Sequence, residues 1–120
     1  AEASIRLGDL ASAVSDINEL RDRANAKAIT AADLGASLEE QLNFILDERS
    51  RELLLEEHRR YTLLRMGGKD FMYPRIKAYN PIDGTNFALR DTIFPIPQTV
   101  IDANRTLYMP QNPGYTSASE

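Results

Sequence analysis

Apolar side chains in the first part of the chain recur at intervals of three and four residues, the period of an amphipathic α-helix. Their positions after Gly8 are Leu10, Ala13, Val14, Ile17, Leu20 and Ala24. Asp9 stands where a helix N-cap is expected, and Gly8 can adopt the left-handed conformation that ends a preceding helix. The pattern predicts a short helix from Ala1 to Leu7, followed by a longer one that begins after Asp9.

A second apolar stripe predicts a long helix from Leu38 to about Met66 that stops at Gly67–Gly68. Ser37 and Glu40 have the spacing of a capping box, in which each side chain accepts a hydrogen bond from the other residue's backbone N–H. The polar stretch 25–36 would link this helix to the preceding one.

Beyond residue 52, apolar side chains occur on several sides of the predicted long helix. These residues are Leu53, Leu54, Leu55, Tyr61, Leu64 and Met66. A helix that is apolar on several sides is normally buried on several sides. We therefore expect further protein to surround this stretch, so that the chain is part of a larger domain.

The composition changes at Gly67, after which all six prolines and seven of the nine aromatic residues occur. Residues 67–120 are predicted to form an irregular, proline-rich strap that packs over the helices. The apolar residues scattered through it favour an ordered segment over a disordered one. The local elements predicted within it are a short strand at Thr92–Phe94, a short helix at Pro97–Asp102 ended by Asn104, and turns at Pro110 and Pro113–Gly114.

Charge and composition narrow the possible functions. The 120 residues include 42% hydrophobic and 27% charged residues, with a formal net charge of -4 and no cysteine. An acidic balance argues against a nucleic-acid partner, and the absence of cysteine excludes disulfides and thiolate metal sites. No apolar run approaches the roughly 20 residues that a membrane-spanning helix needs.

The first two predicted helices resemble half of a tetratricopeptide repeat, in which small residues allow two antiparallel helices to pack closely. The residues that carry this likeness are Leu7-Gly8-Asp9-Leu10, Ala13 and Ala24. Stacked repeats of this kind need about three units for stability, and the chain holds one. The predicted fold class is therefore all-α, with tetratricopeptide-like helices followed by the irregular C-terminal segment.

Three motifs, in order, resemble the SusD/RagB family of outer-membrane nutrient-uptake proteins. They are Ile45-Leu46-Asp47-Glu48-Arg49-Ser50-Arg51-Glu52-Leu53 with its continuation through Arg65, Phe94-Pro95-Ile96-Pro97-Gln98 followed by Ile101-Asp102-Ala103-Asn104, and Gln111-Asn112-Pro113-Gly114-Tyr115. Two positions depart from the family's pattern: Leu55 stands where a small residue or Phe is typical, and Glu57-His58 where Gly-His is common.

The resemblance implies that residues 1–120 are the C-terminal part of a single SusD/RagB-like domain, with 1–66 helical and 67–120 irregular. It implies a lipoprotein on the extracellular face of the outer membrane, attached through an upstream lipidated cysteine. Such a protein binds a glycan or other nutrient and delivers it to a TonB-dependent, SusC-like transporter, with neither catalysis nor a cofactor. The alternative is a tetratricopeptide-type adaptor that binds a protein or peptide partner.

The charged run from Asp47 to Arg60 has two interpretations. Glu52 and Glu56, one helical turn apart, or His58 could serve acid–base chemistry. We favour a structural network in which Arg49 pairs with Glu52 and Glu56 with Arg60. No catalytic or metal-binding residue is predicted, because His58 is the only histidine and no second ligand lies at a suitable spacing.

The remaining candidates are also predicted to be structural. Four tyrosines, at positions 73, 79, 108 and 115, could stack on sugar rings, but we expect them to attach the strap to the helices. Gly67-Gly68-Lys69 is interpreted as a helix stop rather than a phosphate loop, and Asp83-Gly84-Thr85-Asn86 as a turn rather than a calcium loop. No ligand-binding residue is assigned.

Overall fold

The computed structural model describes residues 1–56, 58–80, 86–104 and 108–116, and in these ranges the protein is helical. Its helices are α1 (Glu2–Arg6), α2 (Leu10–Arg23), α3 (Leu38–Glu52), α4 (Arg59–Tyr79) and α5 (Gln98–Ala103), with 3₁₀ helices at Ala31–Leu34 and Leu89–Thr92. The all-α prediction is confirmed. The chain divides into a first unit, Ala1–Glu57, and a second unit, His58–Glu120.

In the first unit the predicted cap signals are confirmed. Gly8 has a φ of 79° and follows α1, and the backbone N–H of Ser12 donates to Asp9 Oδ1 at 3.0 Å to begin α2. Helix α1 packs against both α2 and α3. The core of this unit consists of Ile5, Ala13, Ile17, Ile29, Leu34, Leu42, Ile45 and Leu46.

The polar linker contains order that periodicity did not predict. Asn18 of α2 holds both backbone groups of Ile29: its Oδ1 accepts from the Ile29 N–H at 2.8 Å, and its Nδ2 donates to the Ile29 carbonyl at 2.9 Å. A 3₁₀ helix follows and buries Leu34. Ile29 and Leu34 are the two buried apolar residues of the linker. Two residues at this spacing match neither a helical nor a strand period, so the apolar pattern predicts no element here.

Helix α3 begins with the predicted capping box. Ser37 Oγ accepts the Glu40 N–H at 3.2 Å, and Glu40 Oε2 accepts the Ser37 N–H at 2.8 Å. The prediction that this helix continues to Met66 is wrong, because it ends at Glu52 and Leu55 has a φ of 66°. Leucine favours helix, so the three consecutive leucines after Glu52 give no sequence signal that the helix ends there.

The leucines after α3 are exposed. Leu54 has 73% of its surface accessible to solvent and Leu55 has 98%. Tyr61, in the second unit, is also exposed, whereas Leu63 and Met66 are buried. The described residues of the chain therefore leave Leu54, Leu55 and Tyr61 uncovered.

In the second unit, α4 is interrupted at Gly67 and Gly68, where the predicted stop falls, and Gly68 has a φ of 70°. The helix resumes immediately and continues through Pro74 to Tyr79, so the prediction of irregular structure is wrong for this part of the strap. Pro74 removes one backbone donor. Burial of Met72, which has 0% of its surface exposed, favours the helix over that cost.

The rest of the strap has short elements. Helix α5 is preceded by Pro97 and followed by Asn104, as predicted to within one residue. The predicted strand at Thr92–Phe94 is wrong, because Thr92 ends a 3₁₀ helix and no strand occurs in the described ranges. Thr92 donates its hydroxyl to the Leu89 carbonyl at 2.8 Å and is buried, so a local hydrogen bond outweighs its β propensity.

Candidate functional site

An open groove of about 880 Å³ lies in the first unit, lined by α2, α3 and the linker that joins them. Its apolar lining includes Ile17 and Leu20 of α2 and Phe44 and Ile45 of α3. Leu53, which follows α3, also lines it. Concave, mostly apolar surfaces with a few polar groups are the usual form of a binding site. This groove is therefore one candidate surface for a ligand or for another protein segment.

Ion pairs cross between the two helices that line the groove. Arg21 of α2 pairs with Glu48 of α3, and Arg51 pairs with the same carboxylate at 2.9 Å. Arg23 of α2 pairs with Glu52. Arg21 also donates to the Lys27 carbonyl at 2.7 Å, so it is held from two sides.

These pairs support a structural role for the charged run, and they join other residues than the two predicted pairs. The predicted Arg49–Glu52 pair stays a prediction. Glu52 pairs across helices, with Arg23. Glu56 lies in the turn after α3 and not within a helix. Helical spacing therefore places Glu56 beside neither Glu52 nor Arg60, so the predictions of a Glu52–Glu56 carboxylate pair and of a Glu56–Arg60 ion pair both lose their basis. His58 is exposed at the start of α4, and its ring contacts Tyr61 edge to face at 5.9 Å.

A second candidate surface, in the second unit, is a cluster of arginines and aromatic rings. Arg60 of α4 donates to the Asp91 carbonyl at 2.9 Å, and its guanidinium lies 3.9 Å from the centre of the Phe94 ring. Arg90 lies 5.6 Å from the centre of the Tyr115 ring. Such cation–π contacts stabilise an aromatic ring in one orientation.

Tyr115 attaches the C-terminal segment to residues 90–93 of the strap, whereas attachment to the helices was predicted. Its hydroxyl lies 3.0 Å from the Ile93 carbonyl, its nearest acceptor, and 3.3 Å from both the Arg90 carbonyl and Asp91 Oδ1. The pKa of Tyr115 is raised, mainly because the hydroxyl is partly buried and to a smaller extent because the Asp91 charge is close to it. The pKa of Asp91 is lowered, chiefly because its carboxylate accepts the Ala88 N–H at 2.7 Å.

The other tyrosines divide between packing and exposure. Tyr73 stacks on Phe87, with ring centres 5.9 Å apart and planes 25° apart, which confirms its packing role. Tyr79 and Tyr108 are mostly exposed, so the prediction that they attach the strap to the helices is wrong.

The remaining sequence candidates add no chemistry. Gly67-Gly68-Lys69 lies at the interruption within α4, which confirms a helix stop. Three residues of the predicted turn, 83–85, lie outside the described residues. Across the described ranges, no group of three or more His, Cys, Asp or Glu side chains is placed to hold a metal ion. None of the helices described is both long and apolar enough to cross a membrane.

The sequence analysis did not predict two contacts of the third motif. Gln111 and Asn112 use their side-chain amides to hold the backbone of Phe94 and Ile96. The amide residues are visible in the third motif, but their partners lie more than a dozen residues away. Only the structure identifies which backbone groups they hold.

Comparison with known proteins assigns the chain to a family. The model of the SusD family matches residues 1–115, and the chain belongs to the SusD family. It is 37% identical over 120 residues to the starch-binding protein SusD of Bacteroides thetaiotaomicron, a match that covers 96% of this chain and 19% of that protein.

A second relative shows the same pattern. SusD-like protein P2 of Formosa agariphila is 37% identical over 109 residues, covering 86% of this chain and 21% of that protein. The chain thus spans about a fifth of the length of the curated relatives that it matches. No solved structure matches it significantly.

Proposed function

We propose that the protein to which this chain contributes binds a glycan or other nutrient at the cell surface without changing it chemically. The observation that carries this proposal is the SusD-family match over residues 1–115, together with a relative whose name describes starch binding. The groove and the arginine–aromatic cluster offer non-covalent contacts, which suit binding rather than bond cleavage. No cofactor is required.

Within that protein, residues 1–120 form the C-terminal part of a single SusD/RagB-like domain. The exposure of Leu54 and Leu55 supports this proposal, because large apolar side chains this exposed favour contact with further protein. The open groove in the first unit supports it in the same way. In this role the ion pairs of Glu48 and Glu52 stabilise the fold and do not contact the ligand.

The remaining elements of the proposal concern location and partner. The protein lies on the extracellular face of the outer membrane, held by a lipid anchor upstream of these residues. It delivers its ligand to a TonB-dependent, SusC-like transporter and binds no nucleic acid, consistent with a formal net charge of -4. Membership of the SusD family supports these elements.

Binding of polysaccharides to the purified full-length protein tests the proposal. Starch is the first probe, followed by a panel of plant and algal polysaccharides, with affinity measured by isothermal titration calorimetry. Binding to at least one polysaccharide is expected, and co-purification of a TonB-dependent transporter from native membranes is expected with it. A folded full-length protein that binds no member of the panel and retains no transporter would contradict the proposal.

The alternative is an adaptor that binds a protein or peptide, and the groove beside the tetratricopeptide-like helices is the observation that favours it. The two functions differ in location. Protease added to intact cells should degrade a surface-exposed SusD-family protein and leave an intracellular adaptor untouched. Protection from the protease on intact cells, with degradation after lysis, would favour the adaptor.

A further inference from the structure

The segment Ile93–Pro97 lies between the second 3₁₀ helix and α5, and its backbone is extended at both ends. Ile93 has φ and ψ of -120° and 138°, and Pro97 has -55° and 133°. The Phe94 side chain is 62% exposed, and that of Ile93 is also exposed. An exposed, extended, apolar segment normally offers its backbone to a strand from another molecule.

Side chains occupy the backbone groups that such a strand would use. The Ile96 N–H donates to Gln111 Oε1 at 2.7 Å, and Gln111 Nε2 donates to the Ile96 carbonyl at 2.8 Å. In antiparallel strand pairing, two opposite residues form two hydrogen bonds, in which each residue's N–H donates to the other's carbonyl. The Gln111 side chain reproduces that pair of hydrogen bonds with its own amide.

The neighbouring carbonyls are occupied in the same way. Asn112 Nδ2 donates to the Phe94 carbonyl at 2.8 Å, and the Tyr115 hydroxyl lies 3.0 Å from the Ile93 carbonyl. The Ile93 N–H is bonded to the Arg90 carbonyl at 3.1 Å. Pro95 and Pro97 have no backbone N–H to offer.

We propose that the side chains of Gln111, Asn112 and Tyr115 act as a pseudo-strand that closes Ile93–Pro97 to strand addition by a second copy of the protein. The prolines exclude two donors, and the pseudo-strand occupies the Ile96 donor and three carbonyls. Gln111 contributes most, because it is the one of these three side chains that holds both backbone groups of one residue. This inference is independent of the ligand, and its test does not involve a glycan.

The test removes the Gln111 amide from the full-length protein with two substitutions. Gln111→Ala removes most of the side chain, and Gln111→Met keeps most of the side-chain volume. The loss of one net hydrogen bond at Ile96 should raise the hydrogen-exchange rate of its amide about tenfold. Light scattering after size-exclusion chromatography should then show dimers or larger species that increase with protein concentration. The wild-type protein provides the baseline at each concentration.

Asn80→Ala is the control for loss of a side-chain amide, because Asn80 Nδ2 donates to the Ile76 carbonyl at 3.1 Å, at the end of α4. It should leave both the Ile96 exchange rate and the molecular mass at the wild-type values. Unchanged Ile96 exchange in a folded Gln111 variant would overturn the proposal. Faster exchange without association would overturn it too, since Gln111 would then brace the segment without protecting it.

Discussion

Arg21 of α2 and Glu48 of α3 form an ion pair across the two helices that line the groove of the first unit. Both side chains are about one-fifth exposed, and Glu48 is shared with Arg51. Partial burial reduces screening by solvent and salt, so this pair contributes more than a fully exposed one. The contact joins residues 27 positions apart in the sequence.

Glu48→Gln should therefore lower the free energy of unfolding of the full-length protein by roughly 1 kcal/mol, because two arginines lose their shared charge. Chemical denaturation at low and at 0.5 M salt would measure the change. Asp47→Asn, at an exposed neighbouring position, is the control and should have little effect. A Glu48 variant as stable as wild type at low salt would exclude a stabilising role for this pair.

Ser37→Ala should destabilise the protein by about 1 kcal/mol, because the hydroxyl that accepts the Glu40 N–H would be lost from the start of α3. Thermal unfolding monitored by circular dichroism would detect the lower midpoint. Ser15→Ala provides the same substitution at an exposed position inside α2. There the higher helix propensity of alanine should leave stability unchanged or slightly raised, and equal losses at both sites would refute the capping role.

Acid should destabilise the helix caps. Backbone and hydroxyl hydrogen bonds from Ser37 lower the pKa of Glu40 below its ordinary value of 4.5, and bonds from Ser12 lower the pKa of Asp9 below 3.8. A group whose pKa is lower in the folded state contributes stability above its ordinary pKa and loses it as the pH falls through the folded value. Stability should thus decline progressively below pH 4.5.

Glu40→Gln isolates one part of that decline. Glutamine can keep the capping box but does not titrate, so the variant should show a shallower loss of stability below pH 4.5 than the wild type. Unfolding in urea at several pH values would measure both slopes. Identical slopes would mean that Glu40 has the same pKa in the folded and unfolded states.

Tyr115→Phe should cost about 1 kcal/mol, because the hydroxyl that donates to the backbone of the Arg90–Ile93 segment would be removed while the ring remains. Tyr108→Phe is the control, since Tyr108 is 92% exposed. Hydrogen exchange across residues 88–96 should increase in the first variant and not in the second. Equal exchange in both would contradict the attachment of the C-terminal segment by Tyr115.

The features predicted correctly from sequence are those determined by neighbouring residues. The cap of Asp9, the capping box of Ser37 and Glu40, the stop at Gly67–Gly68 and the helix after Pro97 each depend on residues a few positions apart. Local hydrogen bonds and the special conformations of glycine and proline have recognisable sequence patterns. Such signals survive without knowledge of the tertiary structure.

The end of α3 shows where this approach failed. The chain departs from the common Gly-His of its family at Glu57-His58, and a glycine there is a typical helix terminator. The leucines themselves favoured a continuous helix, so apolar spacing extended α3 too far.

The candidate site depended on contacts between distant residues and was largely unpredictable. Arg21 meets Glu48 across 27 positions, and Gln111 meets Ile96 across 15. Charge and amide residues are common on surfaces, so their presence does not identify a partner. The predicted irregular strap wrongly included the second half of α4, because prolines are typical of irregular structure and no local pattern shows that Met72 is fully buried.

The short reach of the helix caps has a consequence for how the chain is made. Asp9 with Ser12 and Ser37 with Glu40 each span three positions, so closing either contact involves almost no loop entropy. On the ribosome, both contacts can form within a few residues of leaving the exit tunnel. The starting points of α2 and α3 would then be set before most later parts of the polypeptide have left the tunnel.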